Sequence, residues 1–404
     1  MASPTVRPRI HPAGCRLATL AFHDMRNIRI GTLLGIPILI NPSWFVLLGL
    51  TTWLLAAEVF PAYLEDASAG TYFVMAIASV LLFFASIVLH ELAHSAVAKA
   101  YRIPVRSITL FVFGGVAHIT QEAKRPLNEL LMAGAGPLTS LVLGFAFLGV
   151  WWGLGAEGDR AIDSVLIWLA VTNVALAIFN LIPAFPMDGG RIFRSVVWLV
   201  SKDYNRATSV AGWTGRAFAW GFIAIGFLAV LNVPVYVARP GLSAFWLVFI
   251  GLFLESAARR SLVQNRYVQA LDKYNAGELM VPDPPVIDRD MTVGALARSV
   301  IEINPRVCYF VESEGKLAGI ISAYQMRAIP EAQWDTMTAG EAMVPSGRLQ
   351  PVDPARKASE VLLEMEQADL THLPVVSDGT VVGVIGRDRI LSVLRQAGLL
   401  QAPA

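Results

Sequence analysis

Charge is scarce in this chain. Of 404 residues only 16% are Asp, Glu, Lys or Arg, where a soluble globular protein carries about a quarter. That shortage excludes a single globule with a polar surface all round. Cysteine is scarcer still: Cys15 and Cys308 lie far apart and form no CxxC pair, so no disulfide framework is implied. A basic excess is missing too, the net charge being +1, and no nucleic-acid partner is expected. Residues 1–30 are basic (Arg7, Arg9, Arg16, Arg26, Arg29) but lack an apolar core with a small-residue cleavage site. They read as a cytoplasmic N-terminal segment and not as a cleaved signal peptide.

Hydrophobic residues are abundant instead. They make up 55% of the chain, with 10 Trp and 20 Phe, and the mean hydropathy is +0.55. Six apolar segments are long enough to cross a bilayer, near 38–58, 71–95, 130–152, 162–183, 212–232 and 241–258. After about residue 265 charges and short alternating strands replace the long runs. The expected fold class is therefore a polytopic α-helical membrane protein of six transmembrane helices, 31–258, joined by a linker, 259–274, to a soluble α+β module. Orientation follows from lysine and arginine bias. With the N-terminus cytoplasmic, the outer loops hold only Arg160 and Arg239, and the remaining loop arginines and lysines fall inside. Both termini are expected on the cytoplasmic face of the cell membrane.

The second span ends in "SIVLHELAHSAVAKAYRIP", residues 86–104. Ionisable residues at membrane depth are expensive and usually functional. His90 and His94, four apart, project from one helix face one turn apart, the spacing at which two imidazoles meet one zinc ion. Glu91 beside them suits a general base acting on zinc-bound water. A chain of this composition would contain such an HExxH pattern only about 0.004 times by chance. A third ligand is best sought in "NLIPAFPMDGGRIF", residues 180–193, where the fourth span returns to the depth of the histidines. Pro183, Pro186, Gly189 and Gly190 break the helix there. Irregular backbone at that depth survives only inside protein or beside a wet cavity. Asp188 is the candidate, unless it serves as a helix cap or a partner for Arg191.

HELAH followed by N-x-x-P-x-x-P-M-D-G-G-R resembles the site-2 protease family of intramembrane zinc metalloproteases. "GIPILINPSW" (35–44), "FGGVAHI" (113–119) and "AGPLTS" (135–140) extend the resemblance over most of residues 30–260. Met187 stands where the family more often has leucine. The resemblance implies that His90, His94 and Asp188 hold one zinc ion per chain and that Glu91 is the general base. It also implies regulated intramembrane proteolysis of a membrane-anchored, single-span regulator such as an anti-sigma factor. Asn180, polar in an apolar span, is a candidate for hydrogen-bonding substrate, with an interhelical bond as its plainer role. His118 reads as non-catalytic, and Gly134 and Gly136 read as allowing close helix packing. Residues 103–120 alternate β-branched and aromatic residues around a Gly-Gly pair, which predicts a β-hairpin. As a re-entrant hairpin it would offer an unpaired edge to which an unwound substrate adds as a strand.

The C-terminal module repeats itself: AGE-x-MVP recurs at 276 and 339, in the two copies 275–330 and 334–397, and is followed in each by an extended stretch, a helix, a strand, a short turn and a strand. Val361, Leu362, Met365 and Ala368 mark the buried face of the second helix. The arrangement resembles a tandem pair of CBS domains, which implies a homodimer and, often, adenine-nucleotide binding. Nucleotide-binding copies end a strand in G-h-h-[TS]-x-x-D. Here Gln325 stands at the acid position of the first copy, and Gly386 and Arg389 replace both polar groups in the second, so weak or absent binding of AMP and ATP is expected. A CBS-gated membrane transporter, or a membrane protein that keeps zinc only as structure, are the competing readings. Transport needs no glutamate beside a zinc ligand.

Overall fold

The computed structural model describes residues 27–400, except 65, 113, 120, 157–159, 232, 234–241, 299–307, 315 and 379. The N-terminal segment to residue 26, with Cys15, therefore lies outside the described residues. So do Arg239, expected in an outer loop, and much of the helix expected in the first copy of the repeat. The described chain divides into two compact units at 263/264.

The first unit begins with a hairpin, β1 (Ile28–Leu33) and β2 (Ile36–Ile40), turned by Leu34 and Gly35 at positive φ. The first span is expected from residue 38, but its helix α1 runs Ser43–Tyr63. Ile36, Ile38 and Ile40 are buried while Pro37 and Leu39 are less so. That period of two makes a strand, and Pro42 follows it as the helix N-cap. The sheet is completed by β3 (Val105–Phe111) and β4 (Gly114–Ile119), in the order β1-β2-β3-β4 with β2 and β3 parallel. The expected hairpin is thus half of a four-stranded sheet. Phe111 pairs with Gly114, so the glycine pair opens β4 and the turn precedes it.

The sheet packs against α2 (Ala69–Ala100), and α3 (Pro126–Gly153), α4 (Ala161–Asn180), the shorter α5 (Asp188–Ser201) and α6 (Tyr204–Val230) follow along the chain. Among the described residues five helices are long and apolar enough to cross a membrane: α1, α2, α3, α4 and α6. The sixth expected segment forms the start of α7 (Leu242–Leu271), which carries Glu255, Arg259 and Arg260 and is not one of those five. The residues expected as a linker, 259–274, are helical as far as Leu271. Large apolar side chains such as Phe145, Trp152, Val171 and Phe227 face outward. The interior uses small residues, among them Ala76, Ser79, Ala133, Gly136, Ser140 and Ala170. Between helices already in lipid, close backbone approach and hydrogen bonds do the packing that hydrophobicity does in water.

In the second unit the two repeats exchange their opening strands. The first copy's β5 (Val281–Pro282) pairs with β11 (Thr380–Gly386) of the second. The second copy's β9 (Val344–Pro345) pairs with β8 (Lys316–Ser322) of the first. The sheets are β10-β11-β5 and β6-β7-β8-β9, with β6 at Val286–Asp288, β7 at Cys308–Ser313 and β10 at His372–Ser377. In each AGE turn the glutamate accepts from the backbone N–H three residues before it, Glu278 from Asn275 and Glu341 from Thr338, and Thr338 Oγ1 returns the bond to Glu341 N–H, which accounts for the repeated glutamate. The predicted amphipathic helix is present at Ala358–Ala368 and buries Val361, Leu362 and Met365. Ala368 is exposed, because the chain leaves the helix at Asp369 with φ 53°.

Candidate metal centre

His90 and His94 sit on α2, buried at 4% and 5% exposure. Their Nε2 atoms both lie 3.1 Å from Oδ2 of Asp188, the first residue of α5. Among the described residues these three form the one group of His, Cys, Asp or Glu whose ligand atoms lie within 4.8 Å of one another. Ligands about 2.0–2.1 Å from a tetrahedral zinc are spaced about 3.4 Å apart, close to the spacing seen. Asp188 turns toward the histidines and not toward Arg191, whose Nε lies 3.8 Å from Glu129 Oε1.

The rear of each imidazole is also engaged. His94 Nδ1 donates to the carbonyl of Met132 at 2.7 Å, and His90 Nδ1 lies 2.8 Å from Ser140 Oγ. A carbonyl only accepts, so a proton of His94 sits on Nδ1, which leaves Nε2 as the nitrogen available to a metal. Space is reserved on the open side. A Cβ placed on Gly136 would collide with Nε2 of both histidines. Met132, Gly136 and Ser140 recur at every fourth position along one face of α3, so one helix supplies both rear partners and the gap. The donor set, the rear hydrogen bonds and this reserved cradle fit a zinc ion.

Asp188 reaches the histidines because the chain between α4 and α5 is drawn tight. α4 ends at Asn180, short of the expected 183, and Pro183 and Pro186 follow. A Cβ on Gly189 would collide with the backbone of Leu181 and Ile182, and one on Gly190 would meet Ala184 C at 2.8 Å. Only glycine lets the loop fold onto the start of α5. Glu91 projects beside His90, and its Oε2 accepts a hydrogen bond from the backbone N–H of Ala117 on β4 at 3.1 Å. The sheet edge and the carboxylate therefore meet.

Asn180 is not part of this cluster: its side-chain amide donates to Leu176 O at 3.0 Å, one turn back on its own helix. His118 is exposed on β4 and is not among the ligand group. Three contributors escape sequence reading. Ser140 lies within AGPLTS, but its hydroxyl gives no sign of facing a histidine. Met132 acts through its backbone, which has no sequence signal. Gly136 reads as a packing residue, whereas its missing side chain is what keeps the cradle open.

Residues 78–157 and 152–222 match the family model described as Peptidase family M50, and 276–328 and 340–396 match the CBS domain. A Synechocystis sp. protein provisionally named a zinc metalloprotease is 34% identical over 91% of this chain and 96% of its own length. A zinc metalloprotease of Methanocaldococcus jannaschii is 30% identical over 77% of this chain and 83% of its own. The solved structure of a site-2 protease from Methanocaldococcus jannaschii is 29% identical, covering 59% of this chain and 95% of that one, with a TM-score of 0.40.

Proposed function

Because the chain belongs to Peptidase family M50, the site-2 type of metalloprotease, with a CBS pair at its C-terminal end, we propose that it cleaves peptide bonds of membrane-embedded proteins with His90, His94 and Asp188 holding one zinc ion and Glu91 as general base. The convergence of both Nε2 atoms and the Asp188 carboxylate on the cradle beside Gly136 carries this reading. Bound there, zinc supplies Lewis-acid polarisation of water and of the scissile carbonyl. The rest falls to the protein. Glu91 takes the proton of the attacking water and later returns it to the departing amine nitrogen. Since Ala117 N–H occupies Oε2, Oε1 is the oxygen left to carry that proton.

Several supporting roles belong to the same proposal. β4 is the last strand of its sheet, and the edge residue Ala117 already touches Glu91. A substrate helix hides its amides in internal hydrogen bonds, so it must unwind before cleavage. Adding it as a strand beside β4 would replace those bonds and bring its carbonyl to the base. The substrate is a single-span membrane protein of the anti-sigma-factor kind. α7 completes six spans with both termini cytoplasmic, and the CBS pair forms a homodimer that modulates the enzyme. The test uses purified protein in detergent or vesicles, with zinc measured and a single-span candidate offered as substrate. One tightly held zinc per chain and a Glu91-dependent cut within the substrate's span are expected. A zinc-free, inactive wild-type protein refutes the proposal.

A further inference from the structure

Away from the ligands, α5 carries a second tie to α3. Glu129, at 1% exposure, lies one turn before Met132 on the same face of α3 that carries Gly136 and Ser140. Its Oε1 accepts from Arg194 Nε at 2.9 Å and from Arg194 Nη2, and Arg194 is itself buried at 7% exposure. The guanidinium stacks 4.8 Å over Tyr204 and 5.4 Å from the ring centre of Phe185, in the loop leading to Asp188. Tyr204 in turn donates to Glu122. None of these groups is in the ligand cluster. Stability alone does not account for them, since a buried ion pair barely repays its desolvation, whereas register is the best-attested use of such pairs.

The spacing says what register would be set. Six residues separate Asp188 from Arg194 and seven separate Glu129 from Gly136, about 9 Å and about 10.5 Å of helix. The two helices are therefore tied at two levels about 10 Å apart, once at the ion pair and once at the cradle. A slip of one residue moves Asp188 by about 1.5 Å, half the 3.1 Å that separates its Oδ2 from either imidazole. We infer that Glu129 and Arg194 are positioning residues, a buried pin that holds the Asp188 carboxylate opposite His90 and His94.

This inference rests on the zinc reading, and its test is built around metal binding rather than turnover. Zinc affinity is measured by chelator competition on the purified full chain, and the visible spectrum of the cobalt form reports ligand geometry. Glu129→Gln, close to isosteric, should weaken zinc binding roughly 10- to 100-fold and alter the cobalt spectrum while the protein stays helical and monodisperse. If that variant does not fold, Arg194→Lys carries the same test. The discriminating step is a double-mutant cycle. In an Asp188→Ala background the weak two-histidine affinity should be no further reduced by Glu129→Gln, because nothing remains to be positioned. Arg160→Gln, which breaks the Arg160–Asp163 pair, should leave zinc affinity within about twofold. Losses that add in the Asp188→Ala background, an equal loss in Arg160→Gln, or unchanged affinity in Glu129→Gln would each overturn the positioning role alone. A wild-type protein that binds no zinc would overturn the functional reading itself.

Discussion

Two glycines two residues apart on α3, which the sequence reads alike as packing residues, differ in what their missing side chains leave room for. A Cβ on Gly134 would meet nothing within 4 Å, while one on Gly136 would fall on the histidine nitrogens. Gly134→Ala should therefore be neutral or slightly stabilising, since alanine is favoured in a helix interior by about 0.5–1 kcal/mol. Gly136→Ala should lose bound zinc and all activity while remaining helical. Metal analysis of the two variants side by side checks this, and equal zinc in both would show that the cradle is not the metal position. Glu91→Gln acts at a different point, because the three ligands stay intact. It should keep its zinc and lose at least about 100-fold in peptidase rate, the range for removing a positioned base. A wild-type cleavage rate in Glu91→Gln would remove Glu91 from the mechanism. The histidine pair is legible in the sequence because two imidazoles one helical turn apart, flanking a glutamate in an apolar run, suit little besides a metal. Gly136 is not, because a glycine in a membrane helix most often serves packing.

At the scale of the element, hydropathy announces the helices and hides the sheet. Residues 36–40 read as the start of a span because every side chain there is apolar. What makes them a strand is burial on alternate faces between β1 and β3, a fact that pairing creates. The second unit gives two element-level expectations. Ser322, the buried N-cap residue of the short helix Ala323–Arg327, donates both its hydroxyl and its backbone N–H to Gln325 Oε1. The hydroxyl that a nucleotide phosphate would use is thus engaged, so ATP and AMP should bind the full-length protein more weakly than about 10 μM, about −6.8 kcal/mol. Equilibrium titration giving tighter binding would contradict this. His372, at the head of β10, has its pKa lowered by burial, with Asp388 opposing more weakly. A folded pKa below the unfolded value near 6.5 means the unfolded chain binds more protons. Stability is thus lost as pH falls below about 6.5. Amide-exchange protection of β10 and β11 should drop between about pH 7.5 and about pH 5.5, and less so in His372→Gln.

Across the whole molecule, the asymmetry of arginine and lysine gives a testable topology. Single cysteines at 28, 205 and 270, in a chain freed of Cys15 and Cys308, should label only from the cytoplasmic side, and cysteines at 157 and 236 only from outside. External labelling at 270 would put the CBS pair on the wrong face for any cytoplasmic signal. Membrane class, family, the three ligand candidates, the candidate base and the repeated module are all readable in the chain, because each depends on local composition or a short motif. Tertiary structure alone decides that Asp188 faces the histidines, that Met132 and Ser140 back them while Gly136 leaves their Nε2 side open, that Ala117 holds Glu91, and that the repeats trade their first strands. The physical reason is common to all four. They join residues 24 to 103 positions apart, and no short spacing in the chain displays a contact made over that distance, whether it runs through side chains, backbone atoms, empty space or strand pairing.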